Sequence, residues 1–252
     1  MSVPARVLVT RPQPQADGWV RRLRSAGLPA MALPLIEIGP APDPLAVQAM
    51  AAGLQPGMLV MFVSPNAVSQ FGACLPAGWV WPDGVRAACT GPGTVAALHA
   101  LGVPPAAVVA PAPGAVLESE SLWERLRDED WHGRRVWIVR GDGGRDWLAA
   151  TLREAGADVA FLQAYQRRAP GWTPEQQALA AAALADPAGS CWLLSSSEAI
   201  DHLSTLLPQA RWERAWALAS HERIAARARQ AGFGRVEDVA AGVEAVAQAL
   251  KN

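Results

Sequence analysis

Short apolar runs recur along the chain, each followed by a turn of Gly, Ser, Thr, Arg or Pro and then by apolar residues three and four positions apart. Runs of that length bounded by turn residues are the signature of buried parallel strands, and the spacing that follows is that of an amphipathic helix. The run at residues 7–10 leads into a helix whose apolar face is Trp19, Val20, Leu23 and Ala26, closed by Gly27. A second such unit places Trp147, Leu148 and Leu152 on one face and closes at Gly156, and glycine is the usual residue just past a helix end. Residues 59–63, 85–89, 192–195 and 215–219 are further buried-strand candidates, each leading into a helix, and Val243, Val246, Ala247 and Leu250 share one face of a last helix. Strands alternating with helices predict α/β architecture, doubly wound around mostly parallel sheet with right-handed crossovers.

The pattern occurs twice. At an offset of 129, Arg6-Val7-Leu8-Val9-Thr10-Arg11 falls on Arg135-Val136-Trp137-Ile138-Val139-Arg140, and Asp17, Leu23, Arg24, Ala26, Gly27 and Leu33 fall on identical residues. Near the same offset, Val60-Met61-Phe62-Val63-Ser64-Pro65 matches Trp192-Leu193-Leu194-Ser195-Ser196-Ser197, and Ala87-Ala88-Cys89-Thr90-Gly91 matches Ala217-Leu218-Ala219-Ser220-His221. The common order favours duplication of one unit. Two Pro/Gly-rich segments, Gly39-Pro40-Ala41-Pro42-Asp43-Pro44 and Ala169-Pro170-Gly171-Trp172-Thr173-Pro174, stand at equivalent points of the copies. They suggest domain junctions there, whereas a tandem arrangement would divide near residue 130; periodicity does not choose between the two.

Composition narrows the function classes. Of the 252 residues 51% are hydrophobic and 18% charged, enough apolar surface for sizeable cores and too little charge for disorder. The net charge is -1 and Lys251 is the only lysine, so no basic field offers itself to nucleic acid or to an anionic membrane, and any anion site must be local. Cys74, Cys89 and Cys191 have neither paired spacing nor a nearby His pair, which reads as free buried thiols in a reducing compartment, without metal. No secretory leader and no membrane span is evident, so a cytoplasmic protein is expected. With no coiled-coil repeat, a monomer is the expectation.

In open α/β sheets ligands bind beyond the carboxyl ends of the strands, which directs attention to six strand-to-helix turns. They are Thr10-Arg11-Pro12, Ser64-Pro65-Asn66, Thr90-Gly91-Pro92-Gly93-Thr94, Arg140-Gly141-Asp142-Gly143-Gly144-Arg145, Ser195-Ser196-Ser197-Glu198 and Ser220-His221-Glu222-Arg223. Hydroxyls and glycines at helix starts serve either as caps or as seats for carboxylate or phosphate, and both readings stand. The glycine-rich turn lacks phosphate-loop and dinucleotide spacing; its flanking Arg140 and Arg145 suit bidentate carboxylate binding instead. Tyr165, the sole tyrosine, follows a strand and precedes Arg167 and Arg168, a position for a proton donor or for a packed ring. No Ser-His-Asp or Cys-His arrangement is legible. Most of the 11 tryptophans are expected at helical core positions such as Trp19, Trp123 and Trp147.

Taken in order, Val7-Leu8-Val9-Thr10-Arg11-Pro12 with Gln15, Pro34-Leu35-Ile36-Glu37-Ile38, Phe62-Val63-Ser64-Pro65-Asn66-Ala67-Val68, Gly91-Pro92-Gly93-Thr94, the Arg140–Arg145 turn, Tyr165-Gln166-Arg167-Arg168 and Ser220-His221-Glu222-Arg223 resemble the uroporphyrinogen-III synthase family over nearly the whole chain. The resemblance implies two similar doubly wound, mostly parallel-sheet α/β domains facing a deep cleft and joined by two connecting segments. Residues 1–38 and 171–252 would form a discontinuous domain, and residues 39–170 an inserted one. It implies an enzyme that closes linear hydroxymethylbilane, a tetrapyrrole with eight carboxylates, to uroporphyrinogen III, inverting the last ring with loss of water and using neither metal nor organic cofactor. Tyr165 matches the family tyrosine proposed to assist hydroxyl departure, and Thr94 a threonine near the substrate. Arg11, Ser64, Asn66, Gly91, Arg140, Gly141, Arg145, Ser195, Ser196, Ser220, His221 and Arg223 are the expected remaining substrate contacts. Thr90 and Arg223 depart from the residues usual at those family positions. The competing class is a non-catalytic two-domain protein that binds or senses a small anion.

Overall fold

The computed structural model describes residues 3–251. In chain order the elements are β1 (Arg6–Val9), α1 (Gln15–Ser25), β2 (Ala30–Ala32), β3 (Glu37–Gly39), α2 (Pro44–Ala52), β4 (Leu59–Phe62), α3 (Pro65–Cys74), β5 (Arg86–Ala88), α4 (Pro92–Ala100) and, after a short 3-10 turn, β6 (Val108–Val109) and α5 (Ser119–Trp123). The second half runs β7 (Arg135–Arg140), α6 (Trp147–Glu154), β8 (Asp158–Gln163), β9 (Gln166–Arg168), α7 (Pro174–Ala185), β10 (Ser190–Leu194), α8 (Ser197–Leu206), β11 (Trp216–Ala219), α9 (Glu222–Gln230), β12 (Arg235–Asp238) and α10 (Val243–Ala249).

Packing divides the chain into two units, Met1–Ile38 with Arg168–Asn252, and Gly39–Arg167. The second boundary falls just before Arg168, whose guanidinium pairs with Glu37 of the same unit. The segments that pass between the units, β3 and β9, form a two-stranded sheet.

Each unit holds a five-stranded sheet in which every pair is parallel. The orders are β12-β11-β10-β1-β2 in the first and β6-β5-β4-β7-β8 in the second. Numbered along the chain within its own unit, the first sheet has the doubly wound order 2-1-3-4-5 and the second 3-2-1-4-5, with the switch point between β1 and β10 in one unit and between β7 and β4 in the other. The leading strand-helix-strand segment of each sequence copy is completed by the trailing three strands of the other copy, so a tandem division near residue 130 does not occur. The registers repeat as well. Val7 opposes Cys191 and Ala30, while Val136, its counterpart at the offset of 129, opposes Leu59 and Val159, the counterparts of those partners.

Both faces of the first sheet are covered. Leu8, Trp192, Leu194, Ala217 and Ala219 pack to one side with α7, α8 and α9, and the intervening Val7, Val9, Cys191, Leu193, Trp216 and Leu218 pack to the other with α1 and α10. Alternation across the pleat explains why these strands read as uninterrupted apolar runs. In the second unit Leu59, Met61, Val136 and Ile138 face α5 and α6. On the other side Phe62 meets Phe71 edge-on at 5.4 Å, in an aromatic group completed by Trp79 and Trp81.

The tryptophans do not follow the helical expectation. Only Trp19, Trp123 and Trp147 lie on helices, and all three are half-buried; the buried ones, Trp81, Trp131, Trp192 and Trp216, lie on strands or irregular segments. An indole in a loop is retained in the core when its N–H finds a carbonyl, as Trp81 does at Val85 O (2.9 Å) and Trp131 at Leu126 O (2.8 Å). No helix among the described residues is long and apolar enough to cross a membrane.

Candidate functional site

At the switch point of the second unit three chain segments are brought to one sheet edge by backbone ladders that run past the strand ends. Val63 N–H donates to Val139 O (3.2 Å), and Ala164 N–H donates to Arg140 O (2.8 Å). Ser64, Gly141 and Tyr165, each the next residue along, are thereby set side by side. Ser64 has extended backbone and caps α3, its Oγ accepting from Ala67 N–H at 3.2 Å, which is why the helix starts there with Pro65 in its first turn. Tyr165 is only 4% exposed, and its phenol oxygen lies 3.3 Å from Ser64 Oγ, a long hydrogen bond. The ring packs directly against Gly141: a Cβ there would come within 2.8 Å of Tyr165 Cε2 and 2.9 Å of Cζ. Gly141 is thus the seat of the phenol ring.

The rest of that turn is engaged with itself. Arg140 pairs with Asp146 and stacks on Phe161 (3.8 Å to the ring centre), and Arg145 pairs with Glu120, holding that carboxyl below its usual range. Asp142 lies 3.6 Å from Arg167 Nε. The two arginines expected to clamp a ligand therefore already hold carboxylates of the chain itself. Asn66 is half-buried on the first turn of α3. Gly91 caps α4 with extended backbone and open space where a Cβ would sit, and Thr94 is 4% exposed on the first turn of that helix. Beside them an open hollow of about 280 Å³ is lined by Gly91, Pro92, Val95, Pro111 and Leu117.

The equivalent edge of the first unit carries Arg11, Ser195, Ser196, Ser220, His221 and Arg223. Arg11, Ser195 and Ser220 border one small cavity of about 20 Å³, room for a single water, together with Trp19, Leu193 and Val239. The Arg11 guanidinium sits 4.4 Å above the Trp19 ring, and burial pushes its pKa down. Among the described residues no carboxylate pairs with it, in contrast to its counterpart Arg140. Thr10 is not a free hydroxyl of this turn: it is 1% exposed and donates to Leu193 O at 2.5 Å. Ser196 caps α8 without a side-chain hydrogen bond, and His221, not Ser220, caps α9, its Nδ1 accepting from Arg223 N–H at 3.1 Å. At the offset of 129 the counterpart of Tyr165 is Ile36, 4% exposed in the core of the first unit, so only one of the two switch points has a phenol.

Two further strand-to-helix connections escape a sequence reading, β6 to α5 and β12 to α10. β6 has two residues, and β12 is the polar Arg-Val-Glu-Asp, partly exposed at the sheet edge. The repeat itself was the available signal, since β6 and β12 occupy equivalent edges with equivalent register. Among the described residues no group of three His, Cys, Asp or Glu is assembled that would hold a metal.

Two doubly wound units, each with a five-stranded parallel sheet, that have exchanged their leading segments and carry hydroxyls, arginines and one phenol on their strand-to-helix turns define a two-domain α/β protein. The family model described as uroporphyrinogen-III synthase HemD matches residues 17–248. The uroporphyrinogen-III synthases of Salmonella typhimurium and Escherichia coli are 32% and 31% identical, each alignment covering 90% of this chain and 92% of the relative. The chain belongs to the uroporphyrinogen-III synthase family, hydro-lyases of tetrapyrrole biosynthesis. The fold agrees with solved structures of uroporphyrinogen-III synthetase from Helicobacter pylori (TM-score 0.62, 17% identity, 100% of this chain and 99% of that one) and of a Thermus thermophilus uroporphyrinogen III synthase (TM-score 0.56, 19%, 98% and 97%).

Proposed function

We propose that the enzyme acts on linear hydroxymethylbilane with Tyr165 as the acid that assists departure of the terminal hydroxyl. The observation that carries this is the placement of a single phenol at the switch point of the second unit, laid on Gly141 and within reach of Ser64. The phenol proton passes to the hydroxyl, the carbon–oxygen bond breaks and water leaves. The resulting methylene-pyrrole cation is attacked by the substituted carbon of the last ring, giving a spiro intermediate from which that ring is rejoined inverted; the proton lost from carbon on closure restores the phenol. The protein's larger task is to hold the chain so that this attack outruns closure without inversion. Arg11, Ser195, Ser196, Ser220, His221 and Arg223 of the first unit, and Asn66, Gly91 and Thr94 of the second, are the proposed receptors for the substrate's carboxylates, through hydroxyls, guanidinium groups and helix-start amides. Arg140 and Arg145 contribute by shaping their turn, since their charges are already matched. Three free thiols suit the cytoplasm, where the enzyme is proposed to work as a monomer without metal or organic cofactor.

The test is to supply freshly made hydroxymethylbilane and resolve the product isomers. Type III product is expected; type I alone, as forms without enzyme, would overturn the reading. Tyr165→Phe should lower turnover about tenfold or more, allowing water to replace part of a general-acid effect of about 100-fold or larger. Full turnover in a folded variant would leave Tyr165 a packing residue.

A further inference from the structure

The turn hydroxyl nearest the phenol has a second partner that fixes what it can do. Ser64 Oγ accepts the Ala67 N–H at 3.2 Å, which uses one lone pair and leaves its single proton to be directed elsewhere. Among the described residues the other hydrogen-bond partner given to it is Tyr165 Oη at 3.3 Å. Tyr165 is 4% exposed, so the ring is fixed in the packing of this edge. Gly141 holds the ring against this edge, because any side chain there would collide with Cε2 and Cζ.

From this geometry we infer that Ser64 is a positioning residue for the proposed acid: it donates its hydroxyl proton to Tyr165 Oη, turning the phenol proton outward toward the departing hydroxyl, and it links the phenol oxygen to the amino end of α3. The inference rests on the proposed role of Tyr165 and deepens it. It takes Ser64 out of the set of carboxylate receptors. When the phenol gives up its proton, the negative oxygen keeps a donor already in place, and behind that donor stands the backbone N–H of Ala67 at the positive end of a ten-residue helix. No atom has to be recruited during the step. The other direction, Tyr165 donating to Ser64, would point the phenol proton away from substrate.

Three substitutions separate this role from capping. Ser64→Ala removes both the cap and the donor. Ser64→Thr keeps both. Ser64→Asp keeps an excellent cap but, ionised, has no proton to donate and would accept the phenol's own. Turnover at saturating substrate should fall about three- to tenfold in Ser64→Ala and Ser64→Asp and recover in Ser64→Thr, with KM little changed. In the Tyr165→Phe background the same substitutions should cost little further turnover. Because Tyr165 is the only tyrosine, protein labelled with 13C at the tyrosine Cζ gives one resonance, and it should move in Ser64→Ala and Ser64→Asp but not in Ser64→Thr. Restoration of turnover by Ser64→Asp would show that only the cap matters and overturn the inference. A rise in KM with unchanged kcat would return Ser64 to carboxylate binding and do the same. An unmoved resonance would refute the hydrogen bond whatever the kinetics. If Tyr165→Phe itself turns over at the full rate, the acid reading fails and the positioning role falls with it; if Tyr165→Phe is slow but Ser64→Ala is not, only the Ser64 role is lost.

Discussion

Gly141→Ala perturbs the site by one methyl group without forcing the backbone, since Gly141 is not among the glycines with positive φ. The new Cβ would stand 2.8 Å from Tyr165 Cε2, 2.9 Å from Cζ and 3.3 Å from Cδ2. Non-bonded carbons rest at about 3.5 to 4.0 Å, so the ring must withdraw by about 0.7 Å or more. Crowding of this kind in a packed region costs about 1–3 kcal/mol of stability. Misplacing a reacting group by about 1 Å can cost about 100-fold in rate, but the loss transmitted through the phenol is bounded by what the phenol contributes. Turnover of Gly141→Ala is therefore expected to fall toward the level of Tyr165→Phe, about tenfold below the parent. The assay is type III product formation at saturating hydroxymethylbilane, with a thermal melt to establish folding. In the Tyr165→Phe background, Gly141→Ala should cost little more. Full turnover in folded Gly141→Ala, or an equal loss in both backgrounds, would refute the reasoning, because either result would mean that Gly141 does not act through the ring.

Other consequences follow away from the site. Glu129 accepts two hydrogen bonds from Arg86 (2.7 and 2.6 Å) and one from Arg134 (3.0 Å), and the Arg86 contact above all holds its carboxyl below the ordinary 4.5. Glu129→Gln should lower stability by about 1–3 kcal/mol near pH 7. A depressed native pKa means that the unfolded chain takes up the proton first on acidification; the contribution is intact above about pH 5 and is lost as pH falls through the native value, so acid melts of the two proteins should converge. Persistent separation at low pH would contradict the ion-pair account. Burial pushes the Cys89 thiol up to about 11 and raises Cys191 further, whereas Cys74 is half-buried. A thiol-disulfide reagent near pH 8 should modify at most Cys74 in the native enzyme and all three cysteines after denaturation; rapid reaction of three native thiols would show that the sheets open readily.

Local sequence carried much of the architecture. The apolar runs at β1, β4, β10 and β11 were legible because a strand buried on both faces must be apolar at every position, and the closing turns at Gly27 and Gly156 because both glycines need positive φ, 82° and 96°. β12 was not legible, since an edge strand gains nothing from an apolar run. The six turns were found from strand ends alone, yet their side chains divide in ways no local pattern announces. Among the described residues Arg11 has no carboxylate partner and sits on Trp19, whereas Arg140 is bound to Asp146, although the two stand at equivalent points of the repeat. Arg145 turned on the presence of Glu120, a residue 25 positions away on another element.

What the sequence by itself determined was the unit: strand, helix, strand, then two more strands each leading into a helix, written twice. Which leading segment completes which sheet was decided only in three dimensions. The reason is that the registers are interchangeable: Val7 opposes Cys191 as Val136 opposes Leu59, so either leading segment offers the same ladder of backbone bonds to either trailing set, and local preference has nothing with which to choose. The same holds for the site. Tyr165 stood out as the sole tyrosine, but its setting depends on a glycine from the end of β7 and a serine 101 residues away at the end of β4. Only the pairing of β4 with β7 and of β7 with β8 brings a glycine with no room for a side chain, a hydroxyl and a phenol to one edge. Sequence supplied the groups, and the parallel order of the strands made them neighbours.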